Sequence, residues 1–172
     1  MKKLILEKKF NTYQTVIISG AALLNFAILF QMFRGNLNVI GFVITIPFCL
    51  SFLLFVALAF CKKGLVVMNN KLYVGLFAFG YLFWMSHQKT MQRPAVSILT
   101  FKKSQKLGFL AVANPDYADS FQSYDIYLLS ENHIQRDIVL YLKSRAKAER
   151  GIEFIEKHLA INYEIFSPNF NR

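Results

Sequence analysis

The sequence predicts a membrane α-helical hairpin followed by a cytoplasmic α+β domain, in which seven antiparallel strands precede one amphipathic helix. Three observations carry that expectation. Residues 10 to 33 and 35 to 61 hold no charged side chain, and only Arg34 stands between them. After Cys61 continuous apolarity gives way to short apolar runs divided by turn residues, the pattern of strands. Near the carboxy end Ala148, Ile152, Ile155 and Leu159 recur at spacings of four, three and four, one face of a helix. Composition agrees, since 55% of the 172 residues are hydrophobic and 17% charged. An ordinary soluble domain carries roughly a quarter charged residues, so a simple cytosolic globule is excluded. Cys49 and Cys61 both lie in the second apolar stretch, where they fit lipid-compatible packing and not a disulfide-stapled secreted scaffold.

Residues 1–12 read as a basic segment carrying Lys2, Lys3, Lys8 and Lys9. A bilayer core of about 30 Å takes roughly 20 helical residues, because each rises about 1.5 Å. Thr15 to Phe33 and Val39 to Cys61 both meet that length, so residues 13–61 are expected to form a hairpin of two spans, 15–33 and 39–61. The early lysines imitate a cleaved signal peptide, but such a peptide has a shorter apolar run and is followed by a chain that is not itself apolar. The connection Arg34, Gly35, Asn36, Leu37, Asn38 is short enough to force antiparallel helices. Four lysines precede the first span and Lys62, Lys63 and Lys71 follow the second, with only Arg34 at the tip. The positive-inside bias therefore puts both termini in the cytoplasm.

Within the spans, Asn25 is an amide that hydrocarbon does not tolerate unpaired, and Pro47 removes a helical N–H and frees the carbonyl of Val43. The two are expected at comparable depth, so that Asn25 donates to that carbonyl or to Thr45, with Gly41 and Thr45 forming a small-xxx-small approach surface. Bonding of Asn25 within its own helix, or to a water, is the alternative. No ionisable residue lies in either span, so a proton or ion pathway is not expected.

In residues 62–172 the expected strands are Leu65 to Met68, Lys71 to Phe79, Tyr81 to Met85, Ala95 to Phe101, Leu107 to Ala113, Tyr124 to Leu129 and Gln135 to Leu142. Turns fall at Asn69-Asn70, Gly80, Lys102 to Lys106, Asn114-Pro115-Asp116 and Glu131-Asn132-His133. Ser144 stands at the helix N-cap position, and Gly151 weakens that helix by around 1 kcal/mol relative to alanine. Ile161 to Phe166 reads as an edge strand. Leu72 to Trp84 is almost wholly apolar, yet at 13 residues with Gly75 and Gly80 inside it it is too short to span; a re-entrant or interfacial placement stays open. Tyr73, Phe77 and Phe79 would share one face of its strand, an apolar contact face for the helix, the bilayer or another protein.

Seven short strands followed by an amphipathic helix resemble the order of a pleckstrin-homology-like (PH-like) barrel. Leu65 to Ala160, about 96 of 172 residues, is similar to the small PH-like domains that follow a pair of membrane helices in a class of largely uncharacterised bacterial proteins. The phrases that carry the likeness are Asn70-Lys71-Leu72-Tyr73-Val74-Gly75 and Ala95-Val96-Ser97-Ile98-Leu99-Thr100-Phe101-Lys102. The resemblance implies a seven-stranded antiparallel barrel closed by the carboxy-terminal helix, in a multi-pass protein of the bacterial inner membrane. Lipid-binding PH domains gather basic residues around their first hairpin, and here Asn69-Asn70 is accompanied only by Lys71.

From Lys62 to Lys106 there are eight basic residues and no acidic one, while from Asp116 onward nine carboxylates face seven basic residues. Lys62, Lys63, Lys71, Lys89, Arg93, Lys102, Lys103 and Lys106 are therefore candidates to face the anionic leaflet, at about 1 kcal/mol for each basic residue near the surface. The net charge of +10 is juxtamembrane and comes without a nucleic-acid motif, so nucleic-acid binding is not expected. No phosphate cradle, nucleophile elbow or metal-ligand spacing is present. His87, His133 and His158 fall in a loop, a turn and a helix end, and Asp116 and Asp119 in a solvated loop. The sequence thus points to a non-enzymatic module without catalytic residues, metal or cofactor, anchored in the bilayer and docking to anionic headgroups or to a partner protein. The alternative is an accessory subunit of a membrane complex acting through its helices; a homo-oligomer stays open.

Overall fold

In the computed structural model the described residues are 1–35, 39–106 and 118–169. The elements run β1 (Lys2–Lys8), α1 (Thr12–Arg34), α2 (Val39–Ala59), β2 (Lys62–Met68), β3 (Lys71–Ala78), β4 (Tyr81–His87), β5 (Ala95–Lys106), β6 (Ala118–Leu129), β7 (Arg136–Leu142), α3 (Arg145–His158) and β8 (Asn162–Tyr163). They divide into two compact units, one of Met1–Glu7, Gly64–Gly75 and Met85–Arg172, the other of Lys8–Lys63 and Leu76–Trp84.

The expected seven-stranded barrel closed by the carboxy-terminal helix is not what forms. The strands make two open four-stranded sheets, β1-β2-β3-β4 and β7-β6-β5-β8. Closure is prevented by two strands outside the expected seven, β1 at a position the sequence reading left irregular and β8 within the edge strand expected over Ile161 to Phe166. β1, read as a basic arm, lies beside β2. β8 pairs parallel to β5, Ala95 with Asn162 and Val96 with Tyr163, which occupies the edge that β4 would need. Lys102 to Lys106, expected as a turn, continues β5 instead, and the ladder with β6 runs from Ala95 opposite Leu129 to Lys106 opposite Ala118. Polar residues prolong such a ribbon where it is wet, so polarity alone did not mark a reversal. The expected strand Leu107 to Ala113 and the loop at Asp116 lie outside the described residues.

The core of the first unit is the buried stripe of α3, Ala148, Ile152 and Ile155, set with Ile126 and Leu128 of β6, Leu65 of β2 and Leu6 of β1. Each large aliphatic side chain fully buried there contributes roughly 1.5–3 kcal/mol, which outweighs the helix penalty of Gly151. That glycine sits on the packing face, and a β carbon on it would stand 2.7 Å from Ile126 Cδ1. Ser144 does precede α3 in extended conformation, but its side chain makes no cap bond. His158 Nδ1 lies 2.9 Å from the Phe154 carbonyl oxygen at the other end.

In the second unit α1 begins with a capping box that the sequence reading missed. Gln14 N–H donates to Asn11 Oδ1 at 2.7 Å, and Asn11 N–H to Gln14 Oε1 at 3.2 Å. Lys9 N–H donates to the Cys61 carbonyl at 2.9 Å, so the chain enters and leaves the helices at one place. Among the described residues α1 is the one helix long and apolar enough to cross a membrane. The described apolar stretch of α2, Val43–Ala59, is shorter than that of α1 and lies at the lower limit of what a crossing takes, so the expectation of two spans is not supported.

Candidate functional site

Three surfaces carry the polar and apolar groups from which a function can be built, and the first is the helical pair. Ala22 and Leu29 are the buried residues of α1, and Phe26 meets Phe52 with ring centroids 5.8 Å apart. Ser51 Oγ donates to Asn25 Oδ1 at 2.6 Å, while Asn25 Nδ2 donates to the carbonyl of Ala21 at 3.1 Å. Asn25 therefore bonds its own helix and Ser51; the expected partners, the Val43 carbonyl and Thr45, are not used. With Asn25 opposite Ser51, Thr45 and Pro47 lie nearer the tip, which is why the depths do not match. Thr45 is buried and donates to the Gly41 carbonyl at 2.8 Å. Pro47 lies inside α2 and is exposed.

A second surface is the sheet face turned away from α3. Ser97, Leu99, Phe101 and Lys103 of β5 stand opposite Tyr127, Asp125, Ser123 and Phe121 of β6, so by strand alternation all share that face. Asp125, only 1% exposed, is a buried carboxylate and needs partners to be tolerated. Lys103 Nζ supplies one at 2.6 Å, and the Ser123 hydroxyl donates to its other oxygen. The same Nζ lies 4.0 Å from the centroid of the Tyr141 ring, and Tyr141 is opposite Asp125 on β7. Lys143 Nζ stands 4.8 Å over Phe121, and Arg136 Cζ 5.7 Å over Tyr127. Burial, then the Asp125 carboxylate, pushes the Tyr127 phenol above its usual value.

The third surface is a cleft of about 610 Å³ whose lining includes Ile98, Tyr124 and Ile152 together with Glu149, Glu153 and Glu156. Arg145 pairs with Glu149 at 2.9 Å, and Glu156 accepts from Tyr163 N–H at 2.7 Å. Elsewhere His133, 6% exposed, holds the carboxy-terminal tail. Its Nε2 lies 2.8 Å from Glu164 Oε2, and its Nδ1 accepts from Ser167 N–H at 3.0 Å. Among the described residues no three His, Cys, Asp or Glu converge as metal ligands.

The eight basic candidates are spread over β2, the start of β3, the β4–β5 connection and β5. Lys62, Lys71, Lys89 and Lys102 are exposed and Lys63 is half-buried. Arg93 is bound to Asp137 at 2.7 Å and Lys103 to Asp125, so these two do not offer a free charge to a headgroup. Lys102 and Lys103 leave opposite faces of β5, as strand neighbours must. The side chains of Lys106 and Asp119 lie outside the described residues. The apolar contact face of Tyr73, Phe77 and Phe79 is also revised: Phe77 is 1% exposed and belongs to the core, Tyr73 is half-buried, and Phe79 occupies the turn. The Asp125 cluster escaped the sequence reading because Lys103 was assigned to a turn. Had β5 been extended to Lys106, the alternation of Ser97, Leu99, Phe101 and Lys103 would have placed it.

No protein-family model matches this chain, and comparison with curated proteins and with solved structures finds no match.

Proposed function

We propose that this chain is a non-enzymatic, membrane-anchored interaction module, held in the inner membrane of a bacterium by α1, with α2 packed beside it. The observation that carries the reading is the surface of α1. Only 11% of its apolar stretch is buried, with Leu23 at 69% and Leu24 at 64% exposure. The core helix of a soluble protein would bury that surface, and a hydrocarbon environment covers it at no cost. The Asn25–Ser51 bond supports a helix that stays paired with α2. We place the chain, on element order, with the small membrane proteins in which a helical pair precedes a β-rich body, without their closed barrel. Lys71, Lys89 and Lys102 are the exposed charges assigned to anionic headgroups.

The test is reconstitution of the full chain in vesicles. It resists alkaline extraction, and Lys71, Lys89 and Lys102 react more slowly with a water-soluble amine reagent in anionic vesicles than in neutral ones. Equal labelling removes headgroup docking; release by alkali removes the anchor. A second reading, an accessory subunit acting through its helices, draws on Phe26, Phe30 and Phe33, all more than half exposed on one stripe of α1. Photocrosslinking from Phe30 to a protein and not to lipid would favour it.

A further inference from the structure

The β3–β4 hairpin departs from the ordinary construction of a water-facing edge. Two-residue turns lie at both ends of β3, and each has positive φ at its central residues. Asn69 and Asn70, at φ 50 and 57, use a residue type that tolerates left-handed backbone. At the other end the pair is Phe79, φ 52, and Gly80, φ 86. A bulky phenylalanine in that region is strained where asparagine would not be, yet its ring is 61% exposed. Tyr81 at 80%, Phe83 at 72% and Trp84 at 63% follow it. β4 is the outer strand of its sheet, and no side chain from Leu72 to Gln88 is formally charged, whereas soluble edges are blunted with charge or proline. Leu76–Trp84 belongs to the same compact unit as α1 and α2, and the Phe79 and Phe60 rings stand 5.2 Å apart.

We propose that this hairpin tip is a further membrane-contacting element, seating Phe79, Tyr81, Phe83 and Trp84 at the boundary between lipid headgroups and acyl chains. The inference rests on the membrane reading above. Lipid is the occupant because the tip is continuous with the apolar helical pair, and because tyrosine and tryptophan are the rings that settle at that boundary. Its depth is limited by the backbone. Among the described residues no strand pairs with the outer edge of β4, and the N–H and C=O groups along such an edge are not satisfied by hydrocarbon, so the tip stays shallow, where water and headgroups reach it.

Trp84 is the chain's one tryptophan and reports on the tip without any substitution. The full chain is reconstituted in phosphatidylcholine vesicles whose acyl chains carry bromine either near the headgroup or near the terminal methyl. Shallow bromine quenches Trp84 emission more than deep bromine, and aqueous iodide quenches it little. Phe79→Asn, a residue the Asn69-Asn70 turn already accommodates, shifts the emission to the red and reduces quenching by bromine while the chain stays in the vesicles. Quenching by iodide with no effect of bromine puts the tip in water and overturns the proposal. Shielding from both quenchers means that protein covers the tip, and overturns it equally. Release of the chain by alkaline washing overturns the membrane reading and the proposal together, whereas retention with a water-exposed Trp84 overturns only the proposal.

Discussion

A β carbon on Gly64 would overlap the carbonyl oxygen of Leu4, so this glycine is what lets β1 lie against β2. The obstacle is backbone and cannot rotate away. Gly64→Ala is expected to cost about 1–3 kcal/mol as overpacking and to loosen β1, read as a lower denaturation midpoint with faster amide exchange at Leu4 and Leu6. At Tyr127 the effect is one of proton linkage. Burial first and the Asp125 carboxylate second raise its pKa above the ordinary value, so the folded chain keeps this proton to higher pH than the unfolded chain does. The stabilisation is present in full below about pH 10, the unfolded value, and is lost as pH rises through the raised folded value. Tyr127→Phe should therefore flatten the alkaline fall in stability, measured by denaturation of the detergent-solubilised chain across that range. Neither residue was singled out by the sequence: Gly64 is constrained by β1, Tyr127 stands between Ser97 of β5 and Ile138 of β7, and neighbours across a sheet are not visible along a chain.

Elements were legible where periodicity was strong and obscure where it was short. α1, α2 and α3 follow from uninterrupted apolarity or from spacings of three and four, and the hairpins at Asn69-Asn70 and Gly80 from turn chemistry. β1 was missed because Lys2-Lys3-Leu4-Ile5-Leu6-Glu7-Lys8 shows its charges first. Its apolar signal is only the run Leu4-Ile5-Leu6 between charged residues, and of that strand only Leu6 is buried. The pairing of α1 with α2 belongs to this scale, since a slip of either helix would break it. The bond between Ser51 and Asn25 is expected to couple them by about 0.6 kcal/mol, the average for interhelical hydrogen bonds in membranes. A double-mutant cycle of Asn25→Leu and Ser51→Ala on unfolding in mixed micelles measures it, and additive single effects would mean that the helices do not meet there.

At the scale of the whole molecule, composition and charge distribution are properties of the chain that no folding step alters. From them the sequence by itself determined a long apolar amino-terminal helix, a β-rich remainder and a basic excess between Lys62 and Lys106, because transfer free energy and strand or helix period act residue by residue. Whether seven strands close on themselves is a different kind of question. It depends on which edge each strand offers, and β8 takes the edge of β5 while β1 takes that of β2. Those pairings join residues as distant as Val96 and Tyr163, at a loop-closure cost that depends only weakly on the separation, so sequence distance does not reveal them. The tertiary structure alone decided that the sheets stay open, that Lys103 serves a buried carboxylate, and that Phe77 turns inward while Phe79 turns out. In each case the free energy lies in a contact between strands, which exists only once the partner strand is in place.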